Sequence, residues 1–536
     1  MNLFEAIFTD QSASSVAVLY EKARITYSDL RKLTLAVAGV LNRLGIGPGD
    51  RVALLLNDSP EFIASFISIC SSRAIAVPIN MGLRLEEQCA ILNDCTARLA
   101  IVEADLCSSL LTDAQDRLQA LKQVAVVRRE ERKSSASESQ TSPDESGKEQ
   151  IHGLKIWDFH QLLKETQDTA AATFPEPADD EPAFILYTSG STGEPKGAVH
   201  CQSDIFYTNE TFSQEVLQLR PGDKVFSSSR LPFAYGLGNS MTFPLLNGAT
   251  TILCREKPTP EVISRMFREH KPTVFFAVPV VYNLLLEHHR RGHKLDCTSL
   301  RLCISAGEAL PAQLGEDWES TFGVEVLDGI GSTEMLHMFM SNHAGDVRYG
   351  SSGRLLKGYD ARLLDQEGHP TPEGEVGNLW VKGQSAARGY WQKPDVTERT
   401  FVDGWVRTGD RYVCDAGGFW FHKGRSDDCF KSSGQWVSPV EVEGALLRHE
   451  HIYSAAVVED FDRDGLPCAC AFIICKNSDA KPEQIEAELR ELMKSSLPRF
   501  KQPKRYVFVS ELPYTATGKI QRFKLRQQLK PLSDKL

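Results

Sequence analysis

The spacing of apolar residues between positions 26 and 80 alternates between two periods. Thr26 and Asp29 resemble a capping box, and apolar side chains then recur at helical spacing until Gly45, at Leu30, Leu33, Val37, Leu41 and Leu44. RVALLL (51–56) predicts a buried strand, residues 58–60 predict a second helix start, and AIAVPI (74–79) predicts another strand. Strands separated by helices indicate a parallel sheet covered by helices, the α/β class.

Two later stretches divide the chain. Residues 128–150 contain no large apolar side chain and predict a solvated, mobile excursion. After Gly424 the pattern changes, with a Glu-rich helix predicted over 441–449 followed by a strand, YSAAVV. Because 536 residues exceed what one core usually supports, we expect a large N-terminal domain of parallel α/β layers over 1–425. A small α+β domain is expected over 426–536.

Composition narrows the class of protein. A net charge of −11 argues against a nucleic-acid partner, and 42% hydrophobic residues are ordinary for a globular protein. The start of the chain lacks a basic region, and no run of about 18 apolar residues occurs, so we expect a cytoplasmic protein without a membrane partner. The thirteen cysteines contain no CxxC pair, the closest being Cys468 and Cys470, and we expect them to be reduced thiols without a metal role.

The stretch TSGSTGEPKG (188–197) follows the apolar run AFIL. A strand that leads into a Gly, Ser and Thr turn can direct backbone N–H groups at phosphate oxygens. The P-loop spacing is absent, because the fifth residue after Gly190 is Pro195 and Lys196 precedes Gly197. Composition alone leaves a flexible surface loop as the alternative.

Five stretches in order resemble the signatures of adenylate-forming enzymes, the superfamily of acyl-CoA synthetases, luciferases and nonribosomal adenylation domains. They are TSGSTGEPKG (188–197), GIGSTE (329–334), WVRTGD (405–410), GRSDDCFKSSG (424–434) and PYTATGKIQR (513–522). Any one residue has an ordinary structural alternative, such as a surface carboxylate for Glu334 or an exposed lysine for Lys519. Five signatures in family order make the resemblance specific, and it implies the fold of that superfamily with a mobile C-terminal domain.

The resemblance implies a role for each matching residue. The first signature would hold the β- and γ-phosphates of ATP, through Thr188, Ser189, Gly190, Ser191, Thr192, Gly193 and Lys196. Thr333 would contact the α-phosphate and Glu334 would hold Mg²⁺. Asp410 would accept hydrogen bonds from the ribose, with Arg425 nearby. Asp427 would be the hinge, and Lys519 the mobile catalytic lysine.

These roles describe a two-step reaction. A carboxylate is a poor acyl donor, and transfer of AMP to it supplies a leaving group. Cations at Lys196, Lys519 and the Mg²⁺ of Glu334 would neutralise the developing charge. A thiol then displaces AMP, and a swing of the C-terminal domain would exchange the two active configurations. The implied cofactors are ATP, Mg²⁺ and coenzyme A.

A second surface for the thiol substrate is expected on the C-terminal domain. Lys and Arg predominate between residues 499 and 530, which suits the phosphates of CoA, although a solvated face explains the same run. Gly434 and Trp436 offer close backbone approach and an aromatic plane. Related enzymes place residues that match Phe500, Gln502 and Lys504 near CoA, and Gln502 departs from the Arg often found there.

The acid-binding residues resemble those of benzoate-CoA ligases in the runs LPFAYGLGNS (231–240) and GIGSTEMLHMFMSN (329–342). By this resemblance the acyl pocket is lined by Phe233, Ala234, Tyr235, Gly236, Ala306, Gly307, Ile330, Met335 and His337. Adenine would lie near Gly307, Glu308, Asp328 and Gly329. Tyr235 and His337 have core positions as their alternative.

The sequence therefore favours an aryl-CoA ligase that acts on benzoate or a substituted benzoate such as 2-aminobenzoate. Two other hypotheses stay open. One is an aryl-acid adenylating enzyme whose partner is a carrier protein with a phosphopantetheine thiol. The other is a non-catalytic nucleotide-binding module that retains the fold.

Overall fold

The computed structural model describes residues 1–112, 118–128, 149–151, 154–166, 173–189, 195–462, 464–476, 482–514 and 520–529. Its strands are β1 (Val16–Tyr20), β2 (Ala23–Thr26), β3 (Arg51–Leu55), β4 (Ile75–Pro78), β5 (Leu99–Glu103), β6 (Gln123–Val127), β7 (Glu149–Ile151), β8 (Leu154–Asp158), β9 (Pro182–Ser189), β10 (Pro195–Cys201), β11 (Lys224–Ser227), β12 (Thr250–Leu253), β13 (Val274–Ala277), β14 (Leu302–Ser305), β15 (Val326–Gly331), β16 (Met338–Ser341), β17 (Arg354–Leu355), β18 (Asp360–Leu364), β19 (Gly377–Lys382), β20 (Phe401–Val402), β21 (Trp405–Cys414), β22 (Trp420–Arg425), β23 (Phe430–Ser432), β24 (Gln435–Val437), β25 (Ile452–Phe461), β26 (Pro467–Cys475) and β27 (Arg505–Phe508).

The α-helices are α1 (Leu3–Phe8), α2 (Tyr27–Arg43), α3 (Pro60–Ser71), α4 (Leu85–Asp94), α5 (Ala104–Thr112), α6 (Phe159–Thr166), α7 (Gln202–Thr208), α8 (Ala234–Leu237), α9 (Phe243–Leu246), α10 (Pro260–His270), α11 (Pro279–Arg290), α12 (Ala312–Phe322), α13 (Pro394–Thr400), α14 (Pro439–Leu446), α15 (Pro482–Ser496) and α16 (Arg522–Gln528). Residues Asn209–Leu217 and Gly238–Thr242 are π-helical, and Thr333–Met335 and Arg499–Lys501 form 3₁₀ turns.

The helix and strands predicted between residues 26 and 80 are confirmed. Thr26 and Asp29 form a reciprocal capping box at the start of α2, with Thr26 N–H donating to Asp29 Oδ2 at 3.2 Å and Asp29 N–H donating to Thr26 Oγ1 at 3.1 Å. Gly45, at φ +70°, follows the helix. The two predicted strands are β3 and β4, which pair in parallel.

Two large sheets carry most of the chain. In the described residues the first has nine strands in the order β17-β16-β15-β14-β13-β11-β12-β1-β2, and the second has eight in the order β10-β9-β4-β3-β5-β6-β8-β7. Their interior pairs are parallel and antiparallel pairs lie at the ends, such as β10 with β9 and β16 with β15. Helix α3, which is buried at every position except Glu61, packs against α2, α1 and strands of the second sheet. The α/β class is confirmed.

The C-terminal segment has its own core. Strands β25, β26 and β27 form a sheet that packs against α14, α15 and α16, and the apolar clusters of residues 430–529 include no residue from earlier in the chain. The predicted helix over 441–449 is α14, which begins two residues earlier and ends at Leu446. Its N-terminus is set by the side chain of Ser438, which accepts the N–H of Glu441, and by Pro439.

The polar tract 128–150 is described only at its ends. Residues 129–148 lie outside the described residues, so the predicted excursion is untested there. The last two residues of the tract were wrongly assigned to it, because Glu149–Ile151 forms β7 and pairs with β8. Backbone pairing at a sheet edge does not require apolar side chains, which were the basis of the prediction.

No helix in the described ranges is long and apolar enough to cross a membrane. The thirteen cysteines all lie in the described ranges, and none of them forms a disulfide there.

Candidate active site

The strands that flank the sequence TSGSTGEPKG form an antiparallel pair at one edge of the eight-stranded sheet. Thr188 on β9 lies opposite Lys196 on β10 across the turn. A Cβ on Gly197 would lie 2.6 Å from Ile185 Cγ2 and 2.9 Å from Tyr187 Cζ, so only glycine fits there. The turn residues and the Ser189 side chain lie outside what the structure describes, and their phosphate roles stay predictions: Gly190, Ser191, Thr192 and Gly193.

Lys196, Tyr390 and Glu334 form a continuous row of contacts. The Lys196 ammonium lies 5.7 Å from the centroid of the Tyr390 ring. The Tyr390 hydroxyl donates a hydrogen bond of 2.7 Å to Glu334 Oε1. Burial, and then the neighbouring Glu334 carboxylate, raise the pKa of Tyr390, so its hydroxyl stays protonated. The structure thus brings together Lys196 and Glu334, which lie far apart in the sequence.

Groups from other parts of the chain hold the turn between β15 and β16. Each of three successive carbonyl groups in the turn forms a hydrogen bond with one of these groups. His200 Nε2 lies 2.8 Å from Thr333 O, Ala387 N–H donates to Glu334 O at 2.8 Å, and Ser385 Oγ donates to Met335 O at 2.9 Å. These partners come from β10 and from the segment after β19. Several parts of the chain therefore fix the direction of the Thr333 and Glu334 side chains.

The same turn contains a backbone conformation that is rare outside glycine. Leu336 has φ +63° and ψ −44°, and the N–H of His337 donates to Met335 O at 2.7 Å. This is a γ-turn with a strained central residue, and such strain tends to occur at functional sites. The turn reverses the chain between Glu334 and His337. The Glu334 side chain therefore contacts Tyr390, while the His337 side chain packs against aromatic rings.

A magnesium ion fits this arrangement through a single carboxylate. Among the described residues there is no group of three or more His, Cys, Asp or Glu that could hold a metal. Mg²⁺ usually takes one or two carboxylates together with water and substrate phosphates. Tyr390 occupies Oε1 of Glu334, which leaves Oε2 for such an ion.

Asp410 and Arg425 face each other across the antiparallel pair β21 and β22. Arg425 Nη1 lies 3.4 Å from Asp410 Oδ1, and His422 Nε2 lies 3.5 Å from the same oxygen. Asp410 chiefly, and other carboxylates including Glu334 further away, raise the pKa of Arg425. The predicted ribose residues are therefore adjacent, and the Arg425 side chain is 47% exposed.

The predicted acyl pocket forms an aromatic cluster around His337. Tyr235, Phe212 and Phe243 lie with ring centroids 5.5, 5.2 and 4.6 Å from that of His337, and Tyr235 also meets Phe276 edge to face. The Tyr235 hydroxyl donates to Ile304 O at 3.2 Å. Tyr235 is partly exposed and His337 is buried.

Glycines bring the backbone close to this cluster. A Cβ on Gly236 would lie 1.9 Å from Arg230 O, and one on Gly238 would lie 2.6 Å from His337 Cδ2. The remaining predicted lining residues are partly exposed or buried at the same place in the fold, on α8, β15 and the segments beside them: Phe233, Ala234, Ala306, Ile330 and Met335.

Two polar groups in this cluster lack a protein partner within the described residues. His337 Nε2 lies 3.2 Å from Asn239 Oδ1, while His337 Nδ1 and Asn239 Nδ2 make no hydrogen bond. Either orientation of the Asn239 amide leaves one donor and one acceptor unused. Burial lowers the pKa of His337 to about 3, so the imidazole is neutral.

The residues predicted near adenine lie just after β14 and within β15. Gly307 has φ +95°, and a Cβ on Gly329 would lie 2.4 Å from Met340 O. Asp328 is buried with Oδ2 accepting the N–H of Leu310 at 3.3 Å, and burial raises its pKa to about 8. Glu308 lies near the C-terminal segment, since its charge acts on both Tyr514 and Arg522.

A model of the AMP-binding enzyme family matches residues 6–391, and a model of its C-terminal domain matches residues 441–519. The chain belongs to the AMP-binding enzyme family. The benzoate–CoA ligase of Thauera aromatica is 40% identical over 508 residues, which cover 94% of this chain and 90% of that protein.

Two solved structures of related enzymes have the same fold. The anthranilate CoA ligase AuaEII in complex with anthranoyl-AMP superposes with a TM-score of 0.89 at 34% identity, covering 98% of this chain and 97% of that one. A benzoate CoA ligase from Burkholderia xenovorans LB400 superposes with a TM-score of 0.85 at 36% identity, covering 98% and 100%. The chain thus shares the fold of adenylate-forming enzymes, with a large N-terminal and a smaller C-terminal domain.

In this AMP-binding enzyme the residues predicted for CoA have partners within the protein. Lys504 donates a hydrogen bond of 2.6 Å to Asp462 Oδ2. Trp436 lies under the guanidinium of Arg411, 4.5 Å from the ring centroid. Gly434 has φ +77° in the tight turn between β23 and β24. Phe500 and Gln502 lie beside this region, Gln502 donating to Leu497 O at 2.8 Å.

The structure describes the predicted hinge residue but not the predicted catalytic lysine. Asp427 is exposed and lies two residues after the end of β22. Its neighbour Asp428 forms ion pairs with Arg522 and Arg526 of α16, at 3.5 and 3.2 Å. Lys519 lies outside the described residues, and both assigned roles stay predictions.

Sequence reasoning missed several residues of the site, including the aromatic residues Phe212, Phe243 and Phe276 and three polar ones. Tyr390, His200 and Asn239 were not selected, although each contacts a residue that was. Tyr390 carries no local pattern that distinguishes it from packed residues, whereas Asn239 lies within the run LPFAYGLGNS (231–240), which was a signal for the acyl pocket. His200 had a weak signal, because it stands four residues after Lys196 on an otherwise apolar strand.

Proposed function

We propose that this AMP-binding enzyme is an aryl-CoA ligase. It activates an aromatic carboxylic acid with ATP to an aryl-AMP, releases pyrophosphate, and transfers the acyl group to the thiol of CoA. The observation that carries the proposal is the turn from Thr333 to His337. Glu334 in this turn contacts Tyr390, which in turn contacts Lys196. His337 at the end of the turn lies in the aromatic cluster.

The residues around this turn suit the first half-reaction. An oxygen of the aryl carboxylate forms a bond to the α-phosphorus of ATP while the bond from that phosphorus to the pyrophosphate oxygen breaks. Thr188 and Lys196 would hold the outer phosphates, and the Thr333 hydroxyl would hold the α-phosphate. Glu334 would bind Mg²⁺, which neutralises phosphate charge when bound. Asp410 and Arg425 would hold the ribose.

The acyl pocket favours a planar ring. Tyr235, Phe243 and Phe276 supply aromatic walls, and the glycine at 236 lets the backbone approach closely. The unused donor and acceptor of His337 and Asn239 favour a substituent that forms hydrogen bonds. A hydroxyl or amino substituent, as in 2-aminobenzoate, is therefore expected to be accepted alongside benzoate.

The second half-reaction is assigned to a different domain orientation. Residues 426–536 would turn about Asp427, withdraw Lys519 and present Gly434, Trp436 and Lys504 to CoA. The separate core of this segment supports a rigid-body motion. The CoA ligases named above match along nearly the whole chain, which favours free CoA over a carrier protein. A cytoplasmic location stays a prediction from the sequence.

The test is a coupled assay with ATP, Mg²⁺ and CoA over benzoate, hydroxybenzoates, 2-aminobenzoate, pyridine carboxylates and a fatty acid. We expect AMP and pyrophosphate as products, an aryl-CoA thioester, and the highest kcat/KM among the benzoates. Release of ADP would contradict the reaction class. Aryl-AMP formation without any thioester to free CoA would favour the carrier-protein alternative.

A further inference from the structure

A buried histidine links the strand of Lys196 to the turn of Thr333 and Glu334. His200 stands four residues after Lys196 on β10, so the two side chains project from the same face of the strand. Ala198 between them packs against Ala387 and Tyr390. This face of β10 therefore contacts both the segment that supports Glu334 and the turn itself. The side chains of His200 and Asp204 are completely buried, and no step assigned above uses them.

The contacts of the imidazole define one orientation. Nε2 lies 2.8 Å from Thr333 O and Nδ1 lies 2.8 Å from Asp204 Oδ2. Because carbonyl and carboxylate oxygens can only accept, both bonds use hydrogens of the imidazole: Nε2–H donates to Thr333 O and Nδ1–H donates to Asp204 Oδ2. Asp204 Oδ2 also accepts the N–H of Cys201 at 3.1 Å, and Phe184 stacks on the imidazole with centroids 5.3 Å apart. The ring is thus fixed on three sides.

We propose that His200 is a positioning residue for adenylation. Its Nε2–H donates to the carbonyl of Thr333. This bond fixes the turn, so that the Thr333 hydroxyl and the Glu334 carboxylate point toward the ATP phosphates that Lys196 would bind. Asp204 keeps the imidazole in the orientation that this bond requires. The inference rests on the proposed function, because it assigns His200 to the first half-reaction of that enzyme.

Two substitutions of similar polarity separate the bonds of His200. The terminal amide nitrogen of glutamine can replace Nε2, and that of asparagine can replace Nδ1. His200→Gln therefore keeps a donor for Thr333, whereas His200→Asn keeps only the contact with Asp204. We expect H200N to lower kcat/KM for MgATP in ATP–pyrophosphate exchange roughly 10-fold and H200Q to lose less than about threefold.

Two further readouts distinguish positioning from a general packing role. Binding of MgATP as its α,β-methylene analogue, measured by calorimetry, should weaken several-fold in H200N and little in H200Q. Thioester formation from synthetic aryl-AMP and CoA should fall less in H200N than exchange does, because aryl-AMP keeps the α-phosphate contact of Thr333 but needs neither the Mg²⁺ of Glu334 nor the outer phosphates at Lys196. Equal losses in the two variants, or losses that follow their melting temperatures, would overturn the proposal.

The outcomes separate this inference from the proposed function. If the wild type shows no exchange with any aromatic acid, the proposed function fails, and the analogue-binding comparison still decides the role of His200. If H200N does not fold, ¹⁵N-histidine NMR of the wild type decides, with the His200 signals assigned from H200Q. A proton on Nε2 supports the bond to Thr333, and an unprotonated Nε2 overturns it.

Discussion

Removal of the Tyr390 hydroxyl should weaken adenylation without unfolding the protein. Tyr390→Phe deletes the donor that holds Glu334 Oε1 at 2.7 Å and keeps the ring that lies under Lys196. A hydrogen bond to a charged group contributes about 1.5–3 kcal/mol, and about 1.4 kcal/mol corresponds to tenfold in rate. If the bond acts chiefly by orienting the Mg²⁺-binding carboxylate, kcat/KM for MgATP should fall roughly 10- to 100-fold.

The assay is ATP–pyrophosphate exchange with saturating benzoate over a range of Mg²⁺ concentrations. The matched control is Tyr349→Phe, because Tyr349 donates a hydrogen bond of 2.8 Å to Glu319 Oε2 on α12, away from the site. Both variants lose one tyrosine–carboxylate hydrogen bond, and Y349F also loses the 3.4 Å bond that Val326 N–H donates to the Tyr349 hydroxyl, so Y349F should lose at least as much stability as Y390F. Exchange should fall only in Y390F, together with a higher Mg²⁺ requirement.

A Y390F enzyme with less than a twofold change in kcat/KM and an unaltered Mg²⁺ requirement would refute this reasoning. It would mean that Glu334 is oriented by its backbone contact with Ala387 alone, or that Glu334 does not bind the ion. A comparable loss in Y349F would show that the effect arises from stability.

Three other predictions concern His337, Leu336 and Lys519. The pKa of His337 is lowered to about 3 by burial, so the unfolded chain binds more protons below the normal pKa of 6.5 and stability falls as pH drops through 6.5. His337→Gln should therefore remove about 2 kcal/mol of that loss between pH 7.5 and 5 in denaturant unfolding, and an unchanged pH dependence would contradict the burial effect. Leu336→Gly should be more stable than Leu336→Ala by about 1 kcal/mol, because only glycine adopts φ +63° without strain; the reverse order in thermal melts would contradict the strained γ-turn. Lys519→Ala should abolish aryl-AMP formation but still convert synthetic aryl-AMP to thioester, and equal loss of both steps would argue against a domain swing.

Local sequence signals were sufficient for many elements of the fold. The capping box of Thr26 and Asp29, the apolar period of α2 and the runs of β3 and β4 act within a few residues, so their outcome follows from propensity and burial. The change of pattern after Gly424 likewise marked a segment that builds a separate core. Five ordered signatures identified the family, because chemistry with ATP constrains short stretches of chain.

The arrangement of the site depended on contacts between distant parts of the chain. Lys196 and Glu334 meet through Tyr390, and the turn of Thr333 is held by His200 and Ser385. No periodicity or motif records that a tyrosine hydroxyl will meet a particular carboxylate, because that contact exists only after the sheets and the segment after β19 have packed. The amino-acid sequence alone determined which reactive groups are present and which elements carry them. Tertiary packing decided their orientation, since a side chain is oriented by neighbours that are distant in the sequence, as Thr333 is by His200, 133 residues away.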